Sequence, residues 1–463
     1  MPSAPDRLQV ALARQAPASR QQLAERTGLP LRTLQRQLDA LGPELLAAGQ
    51  TRRRRFALRR PLRGMPFDEP VYAIDAGGAV AQLGRLIPFR PEGCHLDLSA
   101  TPWPLGPGEE REGWWPGLPY PLADARPQGF LGRLFARRHG RELQLDADPT
   151  RWSDDAVLLV LRHLGADLPG HWVLGDAALE LARAQWLHPA PQPESEAELA
   201  ARYAELATRT MQEGIPGSSA AGEFPKFITQ RHLEGAATPH CIVKFSGADL
   251  GSATVQRWSD LLVCEHLALQ TLAQLPGLMV ARSRILQGGG RTFLESERFD
   301  RHGRFGRSPV VSLLTVDAAL LGQGGDWPQA GHALRQAGWI RPETLQRIEW
   351  MHWFGRLIAN SDMHAGNLGL VPQRHEGRPI FELAPAYDML PMAYAPLGGG
   401  ELPQREFTPP LPSPAQTGAW RLALPAACAF WSAAANDARI SVGFRQVAAD
   451  NLQRVQRVAE LPL

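Results

Sequence analysis

The stretch Asn360–Ser–Asp–Met–His–Ala–Gly–Asn367, NSDMHAGN, places two amides, a carboxylate and an imidazole between two apolar runs. Before it, Ile348, Met351, Phe354, Leu357 and Ile358 recur at helical spacing, which predicts a helix over Leu345–Ile358 that ends where the polar cluster begins. Asp362 and Asn367 stand five positions apart. That is the separation in a kinase catalytic loop, where the Asp orients or deprotonates an acceptor hydroxyl and the Asn holds magnesium through its amide oxygen. Farther on, Phe381–Glu–Leu–Ala–Pro–Ala–Tyr–Asp388 sets a second carboxylate behind a strand-like run, suited to bridging Mg2+ to the β- and γ-phosphates.

Upstream, the chain uses arginine nearly everywhere a cation is wanted: of 49 Lys and Arg residues only Lys226 and Lys244 are lysine. A compact ammonium kept in such a background marks a place that a planar guanidinium serves poorly. Lys244 lies in His240–Cys–Ile–Val–Lys–Phe245, whose alternation predicts a strand. Lys226 follows Gly214–Ile–Pro–Gly–Ser–Ser–Ala–Ala–Gly222–Glu–Phe–Pro225, a run of small residues able to present backbone N–H groups to an anion. The run lacks Walker A spacing, and Pro225 blocks the helix that a P-loop needs next. A strand lysine after a phosphate-covering loop is the kinase order. The helix expected over Trp258–Leu272 offers Glu265 as its ion-pair partner, and Phe293–Leu–Glu–Ser–Glu–Arg–Phe299–Asp–Arg301 forms the strand and connector where a kinase holds adenine.

Each residue alone has a plainer explanation: Asp362 caps a helix, Asn367 sits in a turn, Asp388 binds backbone N–H groups. The order of small-residue loop, lysine, Asp–x4–Asn and Asp carries the reading, although neither HRD nor DFG occurs. The run Asn360–x–Asp362–x–His364–x–x–Asn367, followed by Leu383–Ala–Pro–Ala–Tyr387–Asp388, resembles the signature of the HipA family, serine/threonine kinases that are the toxin half of bacterial toxin–antitoxin modules. Gly217–Ser–Ser–Ala–Ala–Gly222, His240–Lys244 and Glu297–Arg–Phe–Asp–Arg301 extend the resemblance over roughly residues 200–390. It implies Asp362 as catalytic base, Asn367 and Asp388 as metal ligands, and Lys244 on the ATP phosphates; the charge that phosphoryl transfer needs adds Lys226 as a second cation on those phosphates. His364 and Tyr387 would line the nucleotide site, and Glu297 and Phe299 would hold the adenine. Ser219 falls where family members carry an autophosphorylated serine, and a phosphate there adds about two negative charges. The implied cofactors are ATP and Mg2+. The implied partners are a protein substrate, such as an aminoacyl-tRNA synthetase or another translation factor, and an antitoxin.

The N-terminus departs from the best-known members. Residues 1–63 hold thirteen Arg against Asp6, Glu25, Asp39 and Glu44, a net of +9, so the remaining chain is net −7 although the whole is +2. Such asymmetry is the footprint of a phosphate-backbone binder. A helix from Asp6 to Arg14, a Ser19/Gln22 capping box, a stop at Gly28 and a second helix on Leu34, Leu38 and Leu41 read as a helix-turn-helix. Arg32, Thr33 and Arg36 are left for a DNA groove, and Arg52, Arg53, Arg54 and Arg55 for a wing. The chain thus resembles a HipA subgroup with a fused winged helix-turn-helix that binds double-stranded DNA, and winged helices commonly do so as homodimers.

The fold class expected is α+β, a winged helix-turn-helix followed by a HipA-like bilobal protein-kinase-like fold. The expected domains are 1–63 (DNA binding), 64–192 (mixed α/β), 193–330 (N-lobe) and 331–463 (helical C-lobe). Four scattered cysteines read as thiols, and the lack of a signal-like N-terminus or a long apolar run gives a cytoplasmic chain without membrane spans as the expectation. Two other functions stay open: a transcriptional regulator whose kinase-like fold senses nucleotide without catalysis, and a nuclease with Asp362, His364 and Asp388 around Mg2+.

Overall fold

The computed structural model describes residues 4–213 and 224–462. Its contacts divide the chain into two compact units, one of Met1–Asp75, Ala79–Arg126 and Trp152–Leu187, the other of Ala76–Gly78, Pro127–Arg151 and His188–Leu463. Among the described residues no helix is long and apolar enough to cross a membrane. Cys94, Cys241, Cys264 and Cys428 are free thiols.

The first unit opens with α1 (Ala4–Arg14), β1 (Ala18–Ser19), α2 (Arg20–Thr27) and α3 (Leu31–Ala40). Ser19 Oγ accepts the N–H of Gln22 while the Gln22 side chain accepts that of Ser19, which fixes where α2 starts. Gly28, at φ +67°, ends the helix in the left-handed conformation that a Cβ disfavours. Leu34 and Leu38 turn one face of α3 into a core with Leu8, Leu12, Leu23, Phe56 and Leu58. Burial of each such leucine contributes roughly 1.5–3 kcal/mol. Strands β2 (Leu45–Ala48) and β3 (Arg55–Leu58) then pair antiparallel, with β1 on the far side of β3.

Strands β4 (Glu69–Ile74), β5 (Val80–Pro88), β6 (Cys94–His95), β7 (Trp114–Trp115) and β8 (Trp172–Leu174) form a five-stranded sheet of order β7-β6-β5-β4-β8. Helix α4 (Gly129–His139) belongs to the second unit, whereas α5 (Asp154–Leu164) and α6 (Asp176–Trp186) return to the first. Residues 1–63 and the five-stranded sheet share a core: Leu46 and Ala57 pack with Ile87, Phe89 and Trp114. Main-chain bonds from Arg60 N to Pro88 O and from Arg90 N to Leu58 O, both 2.9 Å, reinforce that seam.

In the second unit, α7 (Glu196–Glu213) precedes β9 (Lys226–Gln230), β10 (His240–Phe245), α8 (Ala253–Leu272), β11 (Ser283–Gly288) and β12 (Arg291–Glu297). The strands form an antiparallel sheet of order β11-β12-β10-β9. Strand period decides its faces: Cys241, Val243 and Phe245 pack with Tyr203 and Leu199 of α7, so Lys244 lies on the opposite face. Helix α8 begins five residues before the expected start and is buried along most of its length.

Next come β13 (Arg301–His302), β14 (Gly306–Arg307), β15 (Val311–Ser312), α9 (Leu313–Val316), α10 (Trp327–Gln336) and α11 (Pro342–Leu357). The hairpin β16 (Gly369–His375) and β17 (Arg378–Leu383) pairs with β15, and α12 (Thr417–Asn436) and α13 (Val442–Ala459) complete the unit. Pro342 in the first turn of α11 suits helix entry, and Ala359 at φ +59° turns the chain out of it. Asp260 fixes α8 to the start of α13 by accepting the Ser441 N–H at 2.8 Å and its hydroxyl at 2.6 Å.

Candidate active site

Residues 360–367 follow α11 and are organised by Asn360, which is buried. Its Oδ1 accepts the Asp362 N–H at 3.0 Å and its Nδ2 donates to the Asp388 carbonyl at 3.4 Å, so one amide ties the two acidic segments together. Asn367 Nδ2 donates to the Asp362 carbonyl at 2.8 Å. From the other side, the indole of Trp327 at the start of α10 donates to the His364 carbonyl at 3.0 Å. The Asp362 side chain is 50% exposed, with an oxygen 3.9 Å from His364 Nε2, and is accessible to an incoming group.

Lys244 is the electrostatic centre. Its Nζ meets both oxygens of Glu265, at 2.7 and 2.8 Å, and also Oδ1 of Asp388. Burial disfavours the ammonium, but Asp388 and Glu265 more than reverse this and hold its pKa above that of an ordinary lysine. Burial likewise pushes the Glu265 carboxyl up, to about 7, against the pull of Lys244. For Asp388 burial again opposes charge, yet Lys244 and then Lys226 bring its carboxyl below the usual range. Lys226 stands directly opposite Lys244 in the β9–β10 register. Like charges in facing positions repel, so the pair favours an anion beside it.

Asp388 has φ +53°, a left-handed conformation uncommon outside glycine and most tolerated by Asn and Asp. The ring of Tyr387 stacks on Phe299 with centroids 5.7 Å apart, and its hydroxyl donates to the Gly366 carbonyl at 3.1 Å. Phe299, Tyr387 and the catalytic loop are thus contiguous. The Glu297 carboxylate is engaged elsewhere: Arg231 Nη2 donates to it at 2.9 Å and the Ala237 N–H at 3.4 Å. Arg231, fully buried, also donates to Glu295 at 2.8 Å and to the Thr238 carbonyl at 2.8 Å, while Tyr203 and Arg284 bond the same Glu295. Ser219 lies outside the described residues.

Asn367 and Asp388 present an amide oxygen and a carboxylate. Such a hard donor set fits Mg2+, which takes one or two protein oxygens and fills its octahedron with phosphate and water. Among the described residues no cluster of three or more His, Cys, Asp and Glu could hold a metal, so Asp362, His364 and Asp388 do not form the trio that a nuclease would use.

In the first unit, Arg32 and Arg36 are exposed on α3, Thr33 is half-buried, and Arg53 and Arg54 are exposed between β2 and β3. The Arg52 side chain lies outside the described residues. Arg55 is half-buried on β3 and donates to Gln22 Oε1 at 3.3 Å, turned toward the capping box rather than outward. Two site residues were absent from the sequence-derived set. Asn360 carried a signal, being one of only four asparagines in the chain. Phe224, whose ring centroid lies 5.9 Å from Lys244 Nζ, carried none beyond adjacency to the small-residue run.

The chain matches the HipA-like C-terminal domain over residues 218–457 and the YjjJ-like toxin middle domain over 67–183. Toxin YjjJ of Escherichia coli (strain K12) is 35% identical over 450 residues, covering 96% of each chain. Among solved structures, a chain of the Shewanella oneidensis MR-1 HipA, HipB and operator DNA complex aligns at 15% identity and TM-score 0.49, over 85% of this chain and 100% of that one. The Helicobacter pylori proinflammatory kinase CtkA aligns at 14% identity and TM-score 0.34, over 50% and 90%. On the extent of the C-terminal match and the near full-length identity to YjjJ, the chain belongs to the HipA family.

Proposed function

We propose that the protein is an ATP- and Mg2+-dependent serine/threonine kinase whose N-terminal winged helix-turn-helix binds double-stranded DNA. One observation supports the catalytic part: Lys244 is held by Glu265 and Asp388 while the Asn360 side chain joins the main chains of Asp388 and Asp362, which brings the segments of the lysine, the metal ligand and the base together in this reading. In this reading an acceptor hydroxyl oxygen attacks the γ-phosphorus, the bond from phosphorus to the bridging oxygen of ADP breaks, and the hydroxyl proton passes to Asp362. Lys244 and Lys226 bind and orient the phosphates, and Trp327 and Asn360 keep the catalytic loop in register. Asn367 and Asp388 would hold Mg2+, which would neutralise phosphate charge. With the Glu297 carboxylate engaged by Arg231, the main chain of the connector, together with Phe299 and Tyr387, receives the adenine.

The DNA reading is supported by the +9 charge of residues 1–63, by the capped helix pair α2 and α3, and by exposed Arg32, Arg36, Arg53 and Arg54. The acceptor is a protein hydroxyl, with an aminoacyl-tRNA synthetase or another translation factor as the first substrate to assay. Autophosphorylation at Ser219, homodimerisation on DNA and a separate antitoxin complete the proposal. The test is transfer of labelled γ-phosphate by the purified chain to itself or to bacterial lysate. Label that depends on Mg2+ and disappears in Asp362→Ala is the expected result. Absence of transfer alongside ATP binding and salt-sensitive DNA binding would leave a nucleotide-sensing regulator instead.

A further inference from the structure

We propose that Phe224 is a positioning residue for Lys244, an aromatic shield that fixes the ammonium toward the phosphates. The inference rests on the kinase reading for its consequence and on local geometry for its substance.

An ammonium has three N–H donors. Three carboxylate oxygens receive them: two of Glu265 and one of Asp388. The partners are unequal, since the Glu265 side chain is 2% exposed and that of Asp388 30%. The contact to Asp388 is therefore the one that can be exchanged for a phosphate oxygen, while the Glu265 contact is the anchor. The Phe224 ring lies 5.9 Å from Nζ, within the range of a cation–π contact, and is itself buried. A ring there attracts the charge without offering it a competing acceptor, and excludes water from the same approach.

Phe224 is fixed from two directions. Its ring meets Trp258 edge to face, with centroids 4.6 Å apart and planes at 73°. Trp258 and Glu265 are seven residues apart on α8, hence on one face. On the main-chain side, the Pro225 carbonyl accepts the N–H of Phe245, the residue after Lys244, at 3.1 Å. Strand β10 and helix α8 therefore hold the shield together, and the carboxylate and the aromatic pair of α8 act on the same ammonium. Leucine would preserve the apolar bulk and lose the π-face, whereas tyrosine would preserve both.

The chain's two lysines make a direct test practical. Full-length protein is treated with a limiting amine-acylating reagent, and acylation of Lys244 is followed by peptide mass spectrometry with Lys226 as the internal reference, beside ATP kinetics and a thermal melt. The expectation is that Phe224→Leu raises the Lys244-to-Lys226 labelling ratio about fivefold and lowers kcat/KM about fivefold, with a small drop in melting temperature from the lost contact to Trp258, and that Phe224→Tyr stays near wild type in labelling and kcat/KM. An unchanged labelling ratio in Phe224→Leu, or equal disturbance by Leu and Tyr, would overturn the proposal. If the wild-type protein transfers no phosphate, the kinase reading fails, and the labelling ratio still decides what Phe224 does.

Discussion

The exposed arginines of residues 1–63 and the buried cations of the second unit carry charge in opposite environments. In the first unit, Arg32, Arg36, Arg53 and Arg54 are exposed on a helix and on the turn between β2 and β3. In the second, Arg231, Arg298 and Arg301 are buried, each bonded to a carboxylate, and Lys244 is mostly buried between two. Exposed cations cost little to maintain and are available to a long polyanion, with an effect that salt screens. Buried cations lose their hydration and persist only with partners in place. The contrast separates solvated charge from an interior in which charge fixes geometry, and Lys244 combines both, having one deep carboxylate and one accessible one.

Removing the proposed base tests the second unit most severely. Asp362→Ala is expected to reduce phosphate transfer about 10²–10⁴-fold with folding intact, as judged by labelled γ-phosphate and circular dichroism. Arg231→Met addresses buried charge without touching the phosphates. It leaves Glu295 and Glu297 short of a partner and should destabilise by about 3–5 kcal/mol, read from the urea midpoint of unfolding. The surface behaves otherwise: Arg32→Ala with Arg36→Ala should leave that midpoint nearly unchanged. It should weaken DNA binding about tenfold at low salt and reduce the slope of log K against log salt by about 0.9 per lost phosphate contact.

The smallest effect concerns pH. Burial pushes the Glu265 carboxyl up, so toward alkaline pH it offers Lys244 two charged oxygens, and as pH falls the carboxyl gains a proton and loses acceptor strength. Turnover should therefore drop on the acid side, by about two- to tenfold, and Glu265→Gln should flatten that limb while lowering the plateau. A steady-state pH profile of both proteins checks this.

Much of the second unit was legible because its signals are local. The alternation in His240–Phe245 predicts both the strand and the face that carries Lys244, and the five-residue interval between Asp362 and Asn367 fixes a loop closed by the bond from Asn367 Nδ2 to the Asp362 carbonyl. The Lys244–Glu265 pair follows from a strand and a helix whose limits periodicity nearly gives. In the first unit, the Ser19/Gln22 capping box is equally readable. What stayed hidden depends on distant partners. Nothing near Glu297 announces that Arg231 takes its carboxylate, nothing near Asn360 announces Asp388, and Phe224 reads as an ordinary apolar residue. Such contacts arise only when strands and helices far apart in the chain are folded together, and no periodicity records them.

The seam in which Leu46 and Ala57 meet Ile87, Phe89 and Trp114 bears on how the basic head can be studied or borrowed. Cutting after residue 63 would strip that strand pair of its covering and present a wet, greasy edge ready to stick to its copies. A portable fragment for DNA-binding assays should instead be excised with the whole five-stranded sheet beneath it, and a graft that ignores this would deliver aggregate.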